Sequence, residues 1–209
     1  MIIGIEVGGT FTDLVIANAD GSLTVHKLPS TPSDPSVAAA EGLEALLKSA
    51  NSEAQDVSEL LHGSTIAANA LIQRKGASTV LLTTQGFRDV LFIQRQDKST
   101  VYDMFYNKPE PLLTRDCIYE VEERLGADGA VVKSLNEAIA SNLVDRVVDE
   151  HKPEAIAICL LHAYANPVHE QKLAAIISSR YPDIRVSLSS EIAPEHREYE
   201  RTSTAVIDA

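Results

Sequence analysis

Cysteine is scarce in this chain: two in 209 residues, at positions 117 and 159. Two thiols that far apart give neither a disulfide framework nor a metal motif, and they fit a reducing cytoplasm. Cys159 lies in the apolar run Ala157-Ile158-Cys159-Leu160-Leu161 and is expected to be a buried thiol. Positive charge is also short, with 18 Lys and Arg against 30 Asp and Glu and a formal net charge of −12. That balance argues against nucleic acid and anionic membranes as partners. It does not oppose ATP, which backbone amides and a metal ion can hold locally. No apolar run approaches the roughly 20 residues that would span a bilayer. Met1 leads directly into a strand without a basic segment or cleavage site, so no signal peptide is expected. Several phosphate and catalytic motifs are missing too: G-x-G-x-x-G, G-x-x-x-x-G-K-[ST] and G-x-S-x-G. His162 and the pair His169-Glu170 match no usual zinc spacing, and the pair is expected to cap or orient a following helix.

What is present is concentrated at the start. Ile2 to Val7 is rich in β-branched residues, as a buried strand requires. Gly8-Gly9 follows, a turn whose residues can adopt unusual backbone angles and carry no side chains over it. Its N–H groups are expected to be free to face an anion. Thr10 and Thr12 add hydroxyls, and Glu6 and Asp13 add carboxylates. Donors beside carboxylates suit a phosphate with Mg²⁺. The same pattern also describes a plain β-hairpin.

Phe11 to Ala17 reads as a second strand, Asn18-Ala19-Asp20-Gly21 as a turn, and Ser22 to Leu28 as a third strand. Three antiparallel strands at the start exclude a Rossmann opening. Residues 35 to 50 have apolar residues at helical spacing, with Ser33 or Asp34 as cap. Val57 to His62 leads into His62-Gly63-Ser64-Thr65, and a helix is expected from about Ile66 to Arg74. Gly63-Ser64-Thr65 reads either as an anion-binding helix start or as an ordinary cap. Thr79 to Thr83 is the next strand. Residues 85 to 150 are expected to form an inserted α+β subdomain, with strand 118–125, a hairpin return at Val131-Val132 and a helix from Leu135 to His151. The core pattern resumes with strand 155–161, a helix from Pro167 to Tyr181 and strand 185–188. Ser189-Ser190-Glu191 reads as a loop, and Pro194 to Ala209 as a helix that ends abruptly. The expected division is thus a core of residues 1–84 and 151–209 around the insert 85–150.

Several segments together resemble one family, the N-terminal region of hydantoinase A and 5-oxoprolinase, which also includes subunits of ATP-dependent acetone and acetophenone carboxylases. They are residues 4–13 (GIEVGGTFTD), 62–77 (HGSTIAANALIQRKGA), 83–90 (TTQGFRDV), Arg95-Gln96, Tyr102-Asp103, 108–112 (KPEPL), 120–125, 162–167 (HAYANP) with His169-Glu170, and 198–204 (EYERTST). The resemblance spans essentially the whole chain. It implies an α/β fold of the ribonuclease-H-like, actin-type ATPase class, within the actin/sugar-kinase/Hsp70 superfamily. Residues 4 to 13 would then be the first phosphate loop of an ATP site, and the last helix would leave this lobe for a second ATPase lobe.

The activity implied is ATP-dependent opening of a cyclic amide such as a hydantoin or 5-oxoproline, with a hydantoinase B-like subunit or domain as partner and a homo-oligomer possible in principle. The alternatives are a ketone-carboxylase subunit and a non-catalytic nucleotide-binding or assembly module. The 209-residue chain alone is expected to be inactive. Gly8, Gly9, Thr10, Phe11 and Thr12 would bind phosphate. Glu6 and Asp13 would position Mg²⁺ (or Mn²⁺) through water. His62, Thr65, Asn69 and Arg95 would face the substrate. Glu6 departs from the family, which usually has Asp there; the extra methylene moves the carboxylate by roughly 1.5 Å.

Overall fold

The computed structural model describes residues 1–18, 20–98 and 100–209. Ala19, in the expected turn 18–21, and Ser99, in the expected insert, lie outside them. The chain divides into two compact units, Met1–Lys75 and Gly76–Ala209.

In the first unit, β1 (Ile2–Val7), β2 (Phe11–Ala17), β3 (Leu23–Pro29) and β4 (Glu59–Ser64) form one sheet, with helices α1 (Pro35–Ser49) and α2 (Ile66–Gln73). The strand order is β3-β2-β1-β4. β1, β2 and β3 pair antiparallel, as the sequence predicts, and β4 runs parallel to β1. Period-two alternation sorts the two faces. Ile3, Ile5, Val7, Leu14 and Ile16 are buried together with Leu46 of α1. Helix α1 starts where its cap directs: the Asp34 side chain accepts from Ser36 N–H at 3.0 Å, with Pro35 in the first turn. Gly42 lets α1 sit close, since a Cβ there would meet Leu14 Cδ1 at 2.5 Å and Leu28 Cδ2 at 2.7 Å. Helix α1 packs on the side that buries Ile3, Ile5, Leu14 and Ile16. Gly4, Glu6, Asp13, Val15, Val25 and Leu61 line a cleft of about 370 Å³ on the other side.

The second unit is built on β5 (Thr79–Thr84), α3 (Val90–Ile93), β6 (Ile118–Val121), β7 (Arg124–Leu125), β8 (Val131–Lys133), α4 (Glu137–His151), β9 (Ala155–Cys159), α5 (Val168–Arg180), β10 (Arg185–Leu188), α6 (Ser189–Ile192) and α7 (Glu198–Asp208). Four strands in the order β10-β9-β5-β6 make a parallel sheet, and β7 and β8 make a hairpin. Every residue of β9 is buried, because helices cover both faces. Val80, Leu82, Ile156 and Ile158 pack with Val144 and Val147 of α4 and Leu173 and Ile177 of α5. Leu81, Ala157 and Cys159 pack the other way, with Leu91 of α3 and Ala205 and Val206 of α7. Cys159 is buried, and burial pushes its thiol pKa up.

Four details differ from the sequence reading. β6 and α4, both inside the expected insert 85–150, belong to the parallel sheet and its covering layer: Ile118 stands in register with Leu81 of β5. The expected strand 118–125 is two strands, broken at Glu122-Glu123. The expected loop 189–191 is the short helix α6, and the last helix begins at Glu198, not Pro194. Proline at 194 disfavours helical angles in the residue before it, so α6 ends at Ile192 and Ala193 has φ −147°.

His169 and Glu170 do orient α5, from its first turn and from inside the core. His169 Nδ1 donates to Glu123 Oε2 at 2.6 Å, while its Nε2 accepts from Leu135 N–H at 3.4 Å. Thr84 Oγ1 donates to the other Glu123 oxygen and accepts from Leu161 N–H at 2.8 Å. Glu170 accepts from Leu160 N–H (2.9 Å), Ser189 Oγ (2.6 Å) and Ser190 N–H (2.9 Å). These side chains satisfy backbone groups at the carboxyl ends of the sheet strands, where the ladder stops.

Candidate functional site

The loop between β1 and β2 owes its shape to close packing. Gly8 and Gly9 are not among the glycines with positive φ, so unusual angles do not explain them. Space does. A Cβ on Gly8 would lie 2.9 Å from Phe11 O, and one on Gly9 would lie 3.1 Å from Asn69 Nδ2. The Gly8 N–H closes the turn by donating to Phe11 O at 3.0 Å and so is not free for an anion. Gly9 and Thr10 N–H donate to no described residue, and both residues are exposed.

Thr12 is buried, and its hydroxyl shares a hydrogen bond with Ser30 Oγ at 3.0 Å. Ser30 Oγ also donates to Gly8 O at 2.8 Å, and Ser30 N–H donates to Thr10 O at 2.9 Å. Thr12 and Ser30 thus brace the loop from below. Ser30 carried no signal in the sequence, because only the β2–β3 pairing brings it under the loop.

The outer side of the sheet carries a row of residues in register, Lys27–Asp13–Glu6–Gly63, one from each strand. Lys27 Nζ donates to both Asp13 oxygens, at 2.8 and 2.9 Å, and sits 4.8 Å from the Phe11 ring centroid. Lys27 is the second residue that sequence reading missed. Glu6 has no hydrogen bond or ion pair among the described residues, and its Oε2 lies over Gly63.

Thr65 and Asn69, at the start of α2, reach the same loop. Thr65 Oγ1 is 3.9 Å from where a Gly8 Cβ would be, and it accepts from Asn69 Nδ2 at 3.3 Å. His62 lines the cleft beside Gly63, in register with Ile5 and one pleat away from Glu6. Arg95 belongs to the second unit. It stands between Gln94 (φ 55°) and Gln96 (φ 59°), and its Nε donates to Glu200 Oε1 of α7 at 2.6 Å. That bond raises the guanidinium pKa. The structure therefore brings Gly8, Gly9, Thr65 and Asn69 together and sets Glu6 and Asp13 side by side.

Two N–H groups without a partner, in an exposed turn bordered by the Thr65 and Asn69 side chains, fit a phosphate, and the unpaired Glu6 carboxylate fits a cation bound to it. Among the described residues no group of three or more His, Cys, Asp or Glu is placed to hold a metal ion. A cation here would depend on phosphate and water for most of its oxygens, which is the usual habit of Mg²⁺.

Fold and site define an α/β protein with a glycine turn open to an anion beside a carboxylate. The chain belongs to the hydantoinase/oxoprolinase family: residues 2–181 match its N-terminal region. An uncharacterised protein of Methanocaldococcus jannaschii is 39% identical, over 99% of this chain and 30% of its own length. The caprolactamase subunit alpha of Pseudomonas jessenii is 34% identical over 99% of this chain and 30% of its own. The crystal structure of that ATP-dependent caprolactamase matches all of this chain and 31% of its own, with TM-score 0.84 and 33% identity. The nucleotide-free structure of acetone carboxylase, from work on ATP-dependent acetone carboxylation, matches with TM-score 0.87 and 26% identity, over 100% of this chain and 31% of its own. The chain thus spans about 30% of the length of these relatives.

Proposed function

We propose that the β1–β2 loop is the first phosphate loop of an ATP site, and that this chain is the N-terminal lobe of an ATP-dependent cyclic-amide hydrolase. The carrying observation is the pair of unpartnered N–H groups at Gly9 and Thr10, in the turn that follows the strand bearing the unpaired Glu6 carboxylate. The three antiparallel strands, with β4 parallel to β1, support a ribonuclease-H-like, actin-type lobe. Gly9 and Thr10 bind phosphate oxygens, with Thr65 and Asn69 bordering the turn. Glu6 would hold Mg²⁺, with Asp13 adding negative charge from the neighbouring strand. A bound Mg²⁺ would draw charge off the phosphate oxygens.

In the intact enzyme the amide carbonyl oxygen accepts the terminal phosphoryl group as its bond to ADP breaks. One water then opens the activated carbon–nitrogen bond, and a second releases phosphate. The second lobe, a hydantoinase B-like subunit or domain, and the ring itself complete the site. A cytoplasmic setting supplies the ATP.

The likeness to acetone carboxylase supports a second reading, in which the same loop serves a ketone-activating subunit. ADP release by the intact protein separates them. Turnover with hydantoin, 5-oxoproline or a lactam supports the hydrolase. Turnover only with a ketone and bicarbonate supports the carboxylase. No ADP release with any of these overturns both.

A further inference from the structure

Glu6 is flanked unequally. On the β2 side stands Asp13, a like charge already held by Lys27 at 2.8 Å. On the β4 side stands Gly63, which has no side chain. Glu6 Oε2 lies in the space that a Cβ on residue 63 would fill. No described residue bonds the Glu6 carboxylate, so neither a donor nor a cation fixes it there. The opening at Gly63 gives it room, and Asp13, occupied by Lys27, offers it no partner on the other side.

We propose that Gly63 is a positioning residue for the Glu6 carboxylate, and that it makes the longer Glu workable at this place. This rests on Glu6 being the carboxylate that faces the metal and phosphate. A Cβ at 63 would meet only the free end of a flexible side chain. Gly63→Ala therefore swings the carboxylate aside and leaves the sheet folded. With Glu6→Asp the carboxylate is shorter by roughly 1.5 Å and no longer reaches residue 63. The effect of Gly63→Ala therefore depends on which residue occupies position 6.

The test uses the 209-residue chain as wild type, Gly63→Ala, Glu6→Asp and the double variant. Two readouts are taken: the ¹³C resonance of the residue 6 carboxyl, and binding of Mn²⁺-ATP followed by water-proton relaxation. Circular dichroism checks that all four are folded. Gly63→Ala is expected to shift the Glu6 carboxyl resonance and weaken Mn²⁺-ATP roughly fivefold or more, the size of coupling between residues in contact. In the Glu6→Asp background it changes affinity by less than about twofold. An unmoved Glu6 resonance, or equal losses in both backgrounds, overturns the positioning role. If the resonance moves as expected but the wild-type chain binds no Mn²⁺-ATP, the positioning role stands and the reading of this loop as a phosphate site that works without the second lobe falls.

Discussion

Three hydrogen bonds converge on Ser30, from or to Gly8, Thr10 and Thr12. A loop proposed to hold its N–H groups toward an anion needs such bracing, because two adjacent glycines restrain their own backbone poorly. Ser30→Ala removes the hydroxyl, leaving the buried Thr12 hydroxyl and Gly8 carbonyl without their partner. The expected cost is about 1–3 kcal/mol in urea unfolding, and Ser30→Thr should retain most of the stability. An unchanged midpoint for Ser30→Ala would mean that the loop holds itself. Lys27 shows the same kind of dependence on context. Read along the chain it is one exposed residue of a strand; in the sheet it neutralises Asp13 and leaves Glu6 as the unpaired carboxylate of the row.

Elements in the second unit are held at their ends by buried side chains as well as by their apolar faces. Glu170, fully buried in the first turn of α5, accepts from the chain after β9 and from both serines that open α6. Glu170→Ala would strand those donors in the core, with an expected loss of about 3 kcal/mol or more. Thermal or urea unfolding measures it, and a loss below about 1 kcal/mol would show that water replaces the carboxylate. The elements themselves were largely legible. β-Branched composition placed β1, the apolar run placed β9, and helical spacing placed α1, with its cap, and α4. Their ends were less so: α7 starts at Glu198 rather than Pro194, and the expected strand 118–125 breaks at Glu122-Glu123. The inward role of Glu123 was hidden because its partner His169 lies 46 residues further on.

For the molecule as a whole, the two units have separate cores. Core residues Ile3 to Leu46 form one cluster within Met1–Lys75, and two others lie wholly within Gly76–Ala209. A parallel sheet covered on both faces is a complete layered structure. A fragment of residues 76–209 is therefore expected to melt cooperatively by circular dichroism, with dispersed amide resonances. A broad, non-cooperative melt would show that it needs the first unit.

The sequence by itself determined the family, the order of the elements and the stretch that carries the glycine turn. Those depend on local pattern: alternation, caps, and small or β-branched residues at fixed spacing. Tertiary structure decided what the turn's residues do. Pairing β2 with β3 put Ser30 under the loop and Lys27 on Asp13, and pairing β1 with β4 put Gly63 beneath Glu6. It also drew β6 into the parallel sheet. Register between strands far apart in the chain sets these contacts, and no local pattern specifies that register.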